Sequence, residues 1–279
     1  MTNQGHSSFQ ASSGYQLMAG YQIQSRAAQS NILEALNFIV CNSDFASLAE
    51  EEYPGLTSNQ RGSLLSAYSK LKSDNPSKWH FEVPQLEIPV LDEKLRSQHP
   101  TALVGGITEA EGGEVTYSSL SICITFTTET GTADSGAITD TSSGLNLCSC
   151  CLPACENRKR IVRRFHFDHQ PDESNKPPSH IQYGGVFPEN NTTLGWHYCL
   201  EHFLENPRLH YLPMDLVLLL DLVTREFNTP LRKWTHELAW TNLVLKSQNI
   251  WWSEYWDWIA RHLSRHNGPT FHQTIYGQQ

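Results

Sequence analysis

Residues 163–185 read RRFHFDHQPDESNKPPSHIQYGG, and few backbones suit that pattern. Phe165 and Phe167 alternate with Arg164, His166 and Asp168, the period-two signature of a strand with one apolar and one polar face. A polar, proline-rich loop follows, and the chain returns as His180-Ile181-Gln182-Tyr183 before Gly184-Gly185. If the two segments form a hairpin, a natural register sets Asp168 across from His180 and His166 across from Gln182, within reach of side-chain contact. The Phe face is expected inward. Arg164, His166, Asp168, His180 and Gln182 then share the other face.

Three chemistries are open to that cluster. A carboxylate beside an imidazole fixes its tautomer and favours its protonated form, which suits general acid or base work. In this reading His166 and His180 act as acid and base, Asp168 orients one of them, and Arg164 holds an anionic substrate or a developing phosphate charge. Two histidines and an aspartate can instead hold a divalent metal with positions left for water. The third alternative is a solvated sheet face whose cross-strand Asp–His hydrogen bond stabilises the hairpin.

The His166-Phe167-Asp168 strand and the Pro177-x-x-His180-x-Gln182-x-Gly184-Gly185 return resemble uncharacterised bacterial toxin- or defence-associated proteins with a Tyr/His-x-Asp…Pro-x-x-His core. The resemblance covers residues 163–185. It implies a bacterial setting and a defence-type role, and carries no reaction with it.

Elsewhere the chain predicts helices at both ends. Residues 1–27 are rich in Gln, Ser and Gly and too poor in apolar side chains to offset ordering entropy, so they are expected to form a flexible arm. Ile32, Leu33, Leu36, Ile39 and Val40 recur at helical spacing from Ser30, and a second helix is expected from a Thr57/Gln60 capping box. WHFEVPQLEIPV is an edge strand at best, since Pro84 and Pro89 cannot donate to a ladder. In VTYSSLSICITFTTE, Leu120, Ile122, Ile124 and Phe126 alternate with polar residues as a strand against a core requires. Residues 129–147, mostly Gly, Ser, Thr and Asp, read as a flexible insertion. After Gly185 four helical segments follow, TTLGWHYCLEHFL, PMDLVLLLDLVTREF, PLRKWTHELAWTNLVLKSQ and NIWWSEYWDWIARHLSRH. The expected fold is α+β, an antiparallel sheet with helices packed on one face, in one domain over 28–279: helical at 28–75, strands at 76–190, helical at 191–279.

Further signals bear on ligands. Cys148, Cys151 and Cys155, with Cys150, have the C-x2-C-x3-C spacing at which a knuckle turn aims thiolates at zinc or another divalent metal, and a cysteine-rich surface loop is the alternative. Arg158, Lys159, Arg160, Arg163 and Arg164 form a local basic run in a chain of net charge −9, where phosphate or nucleic acid would bind, or where charge protects a strand edge. The net charge argues against a surface that coats nucleic acid overall. Trp251, Tyr255, Trp258 and His262 make one stripe of the last helix and Trp252, Trp256 and Ile259 another, so the helix is either mostly buried or offers one stripe to a protein partner. HELAW from His236 lacks the second His of H-E-x-x-H, and there is no G-x-S-x-G, phosphate-binding loop or G-x-G-x-x-G. No secretory leader or membrane-length apolar run is evident, so a cytoplasmic protein without membrane contact is expected. A phosphoester- or nucleic-acid-directed enzyme and a non-catalytic interaction protein with a Trp-rich partner surface are the two functional expectations.

Overall fold

The computed structural model describes residues 23–42, 58–90, 116–130, 138–152, 159–170, 179–183, 208–227 and 229–263. Among the described residues six strands form one antiparallel sheet with neighbours in chain order: β1 (His80–Pro89), β2 (Thr116–Thr130), β3 (Ile138–Leu152), β4 (Lys159–His169), β5 (Ser179–Tyr183) and β6 (Arg208–His210). Helices α1 (Ser25–Cys41) and α2 (Ser58–Ser73) precede it, and α3 (Leu216–Glu226), a 3-10 turn (Pro230–His236) and α4 (Leu238–Leu263) follow. The α+β class and the helical ends are those expected. No helix among the described residues is long and apolar enough to cross a membrane.

Strand alternation sorts the sheet into two faces. Phe81, Val83, Leu86 and Ile88 of β1, Ile122, Ile124 and Phe126 of β2, Leu145 and Leu147 of β3 and Phe167 of β4 join the core that α1, α3 and α4 complete. Among the described strands β1 lies at the edge, as its prolines demand, and its register with β2 shifts between Val83 and Leu86, where Pro84 falls. Within the helical layer Phe38 of α1 packs edge-on against Trp234, at 5.4 Å between ring centroids, and Trp234 lies 5.1 Å from Trp240 of α4. Trp234, Trp240, Trp251 and Trp258 are all fully buried, and each large side chain removed from water contributes about 2–3 kcal/mol.

Four expectations are corrected. The insertion expected over 129–147 is flexible in neither of its described parts: Thr130 ends β2, and residues from Ile138 onward form β3, in the middle of the sheet. Its β-branched Thr and Ile side chains suit a strand. Ile23 and Ser25, placed in the flexible arm, are buried, and the Ile138 N–H donates to the Ile23 carbonyl. A short strand, β6, lies in the region expected to be helical throughout. From Leu238 onward the last two expected helical segments run as one 26-residue helix, because Ser247, Gln248 and Asn249 include neither Pro nor Gly, while Pro230–His236 forms the separate 3-10 turn.

Ser247 explains that continuity further. Its hydroxyl donates to Asp215 Oδ2 at 2.7 Å and accepts from Asn31 Nδ2 at 2.6 Å, which ties α1, α3 and α4 through one buried polar chain. Asp215 is also the N-cap of α3, accepting from the Leu218 N–H at 2.9 Å. Complete burial pushes its carboxyl up from 3.8 to about 6, although hydrogen bonds from Leu218, Ser247, Trp251 and Val217 oppose the shift. Between these two values the folded chain keeps a proton that the unfolded chain has lost, so this group's contribution to stability falls as pH rises from about 4 to 6, by about 3 kcal/mol in all. Asp215→Asn keeps the cap acceptor without the charge. Urea unfolding at pH 4.5 and 6.5 is expected to show that the variant has lost most of that decline.

Candidate functional site

Three rows of paired residues build the face opposite the core. The first runs Thr127, Ser142, Asp168, His180, His210 across β2 to β6; the second runs Thr125, Gly144, His166, Gln182, Arg208; the third runs Cys123, Asn146, Arg164 across β2 to β4. The β4–β5 register is the expected one, with Asp168 opposite His180 and His166 opposite Gln182. Arg164, His166, Asp168, His180 and Gln182 therefore do share a face.

Asp168 stands between two imidazoles. Its Oδ1 is 3.3 Å from His166 Nε2 and its Oδ2 is 3.5 Å from His180 Nε2. Ser142, in the segment expected to be an insertion, contributes a hydroxyl 2.7 Å from His166 Nε2. One ring nitrogen thus meets both the hydroxyl and the carboxylate. A serine relay places them on opposite ring nitrogens, so Ser142 is not arranged as a triad nucleophile. It is placed to exchange a proton with His166.

Exposure separates the roles. The His166 side chain is 20% exposed, Asp168 9% and His180 0%, so of these three His166 is the one solvent reaches best. Arg164 and Gln182 are buried as well. The face is therefore less solvated than alternation alone suggests, and His180, expected to act as acid or base, is buried with its Nε2 3.5 Å from Asp168 Oδ2.

Gly144 sits at the centre of the second row. A Cβ there would lie 2.7 Å from Thr125 Oγ1, inside van der Waals contact, and 4.0 Å from both Arg164 Nη2 and Asn146 Nδ2. Glycine weakens a strand interior, and its use here lets the Thr125 hydroxyl lie against the backbone.

The core side of the same strands holds His169, which sequence reasoning passed over because it borders the proline-rich loop. It is fully buried, its Nδ1 is 2.8 Å from Ser179 Oγ, and Trp251 of α4 meets it edge-on at 6.2 Å. Burial first and the His180 charge second push it down from 6.5 to about 3. At the sheet edge His210 Nε2 bonds the Tyr255 hydroxyl, the rings stack 5.4 Å apart, and burial lowers the His210 pKa.

Other expectations resolve differently. Cys148, Cys150 and Cys151 lie on β3, paired with Ser121, Ser119 and Tyr117. The backbone at both positions is extended and paired in the sheet, so the knuckle turn expected at Cys148 and Cys151 is not formed. Cys155 and Arg158 lie outside the described residues. Among the described residues no group of three or more His, Cys, Asp or Glu is arranged to hold a metal ion. Lys159, Arg160, Arg163 and Arg164 lie on β4, and the Arg164 side chain is buried. Trp251, Tyr255, Trp258 and Ile259 are core, and Trp252 donates its indole N–H to the Pro213 carbonyl at 3.0 Å. Among the described side chains of the two stripes, Trp256 is the exposed member, at 53%, and the His262 side chain lies outside them.

The chain was compared with protein-family models, curated proteins and solved structures, and none of them matches it.

His169 supplies a test of the two-sided sheet. As pH falls from 6.5 toward 3 the unfolded chain gains a proton that the folded chain refuses, so stability falls with pH, opposing the Asp215 effect where the two ranges overlap. His169→Gln retains a partner for Ser179 without the titration. Unfolding free energies measured from pH 6.5 down to 3.5 are expected to fall less steeply in the variant.

Proposed function

We propose that the protein is a phosphoester- or nucleic-acid-directed enzyme whose acid–base group is His166. The observation that carries the reading is the placement of His166 Nε2, 2.7 Å from Ser142 Oγ and 3.3 Å from Asp168 Oδ1, on the most solvent-accessible side chain of the His166–Asp168–His180 trio. A carboxylate this close favours the imidazolium, which the imidazole becomes when it takes a proton from an attacking hydroxyl or water. The same imidazole returns the proton to the leaving oxygen. His180 holds the far oxygen of Asp168 and so fixes its orientation, a positioning role. Arg164, two residues before His166 on the same face, supplies positive charge toward an anionic group.

A non-catalytic interaction protein is the second reading, favoured by the burial of Arg164, His180 and Gln182, which also suits a purely structural polar face. Its partner surface would centre on Trp256, since the other large aromatics of α4 are wholly or partly buried.

Turnover of a chromogenic phosphodiester and of single-stranded RNA and DNA separates the two. His166→Gln is expected to lower kcat by about a hundredfold or more with KM little changed, the scale of losing a general base. His180→Gln is expected to lower kcat by a smaller factor and Arg164→Gln to raise KM. Equal turnover by wild type and His166→Gln, or none by wild type, contradicts the enzyme reading.

A further inference from the structure

We infer that Tyr255 is a redox-active tyrosine: a diffusible one-electron oxidant meeting the exposed Trp256 ring draws an electron from Tyr255, while the phenolic proton passes to His210. The pair lies where α4 meets β6, and the reaction proposed for His166 does not require it.

Two contacts of Tyr255 point in different directions. Its hydroxyl is bonded to His210 Nε2, and its side chain is only 1% exposed. A phenol that loses an electron becomes a strong acid, so its oxidation is easiest where a base within hydrogen-bond reach can take the proton. Bulk water is shut away from Tyr255, and the bonded imidazole stands in its place. Burial lowers the His210 pKa, so at neutral pH the ring is uncharged and one of its nitrogens is an acceptor. The second contact leads outward. The Trp256 ring meets Tyr255 edge-on at 5.3 Å between centroids and is 53% exposed, so an electron can pass from the buried phenol to a ring that solvent reaches. Trp258, 6.3 Å from Tyr255 on its other side, is buried and offers no such exit. The balance is one electron gained by the oxidant, one O–H bond broken on Tyr255 and one N–H bond formed on His210. A neutral phenoxyl radical is left beside an imidazolium, and return of the electron reverses both transfers. The new cation stands opposite His180 on β5, in the row that continues to the Asp168 carboxylate.

Flash photolysis of tris(bipyridine)ruthenium with a cobalt pentaammine quencher supplies the one-electron oxidant to the full chain, and freeze-quenched electron paramagnetic resonance reads the neutral tyrosyl radical. Wild type is expected to form that radical, more slowly in deuterated water, and Tyr255→Phe to lose most of the signal. His210→Gln keeps a polar partner without a base and is expected to form the radical about a hundredfold more slowly, the scale of removing a positioned proton acceptor. Trp256→Phe is expected to slow it severalfold. Circular dichroism first confirms that each variant is folded. Because position 256 is exposed and its substitution spares the core, Trp256→Phe is the deciding variant. No tyrosyl radical in wild type, an undiminished signal in Tyr255→Phe, or the wild-type rate in either His210→Gln or Trp256→Phe overturns the inference.

Discussion

Antiparallel pairing of β4 with its neighbours is the constraint on which the rest of the arrangement depends. With Asp168 opposite His180 and Ser142, and His166 opposite Gln182 and Gly144, every polar group of the candidate site falls on one face. A slip of one residue would carry His166 and Asp168 into the core and turn Phe165 and Phe167 outward. The burial of Phe167 beneath the helical layer opposes such a slip. Packing on one side of the sheet therefore holds chemistry in register on the other.

The layers are joined by polar as well as apolar contacts. Asn31, Ser247 and Asp215 link three helices, and Trp251 both favours the Asp215 carboxylate and closes over His169 on the sheet. His169 and His180 lie near the same end of the paired strands on opposite faces, close enough for the charge of one to disfavour that of the other. Burial holds His169 neutral at ordinary pH, while His166 keeps contact with solvent. Position in one hairpin thus decides which imidazole is structural and which meets the outside.

The strand pair was legible because its alternation is strict and its two apolar sets must face the same way. The α+β class followed from the same pattern together with the terminal helices. β3 was not legible: Thr141, Ser142, Ser143 and Gly144 resemble a linker when read alone, and only lateral pairing to β2 and β4 makes them strand. Ser142 and Asn146 were lost with it. The continuity of α4 past Gln248 was not legible either, since the burial of Ser247 against Asp215 depends on a partner 32 residues away. Burial of His180 and Arg164 cannot be read from local spacing, which is why the two histidines looked equivalent. The cysteine spacing suggested a knuckle turn, but the backbone at Cys148–Cys151 extends to pair with β2.

The central claim is that His166 is the imidazole of the cluster that meets a substrate, with His180 behind Asp168. Carbethoxylation of the folded protein by diethyl pyrocarbonate, followed over time by peptide mass spectrometry, tests it directly, with the half-exposed His80 as an internal reference. The account predicts steady modification of His166 and protection of His180 and His169 until the chain unfolds. Modification of His180 at the rate of His166, or protection of His166 itself, would contradict it.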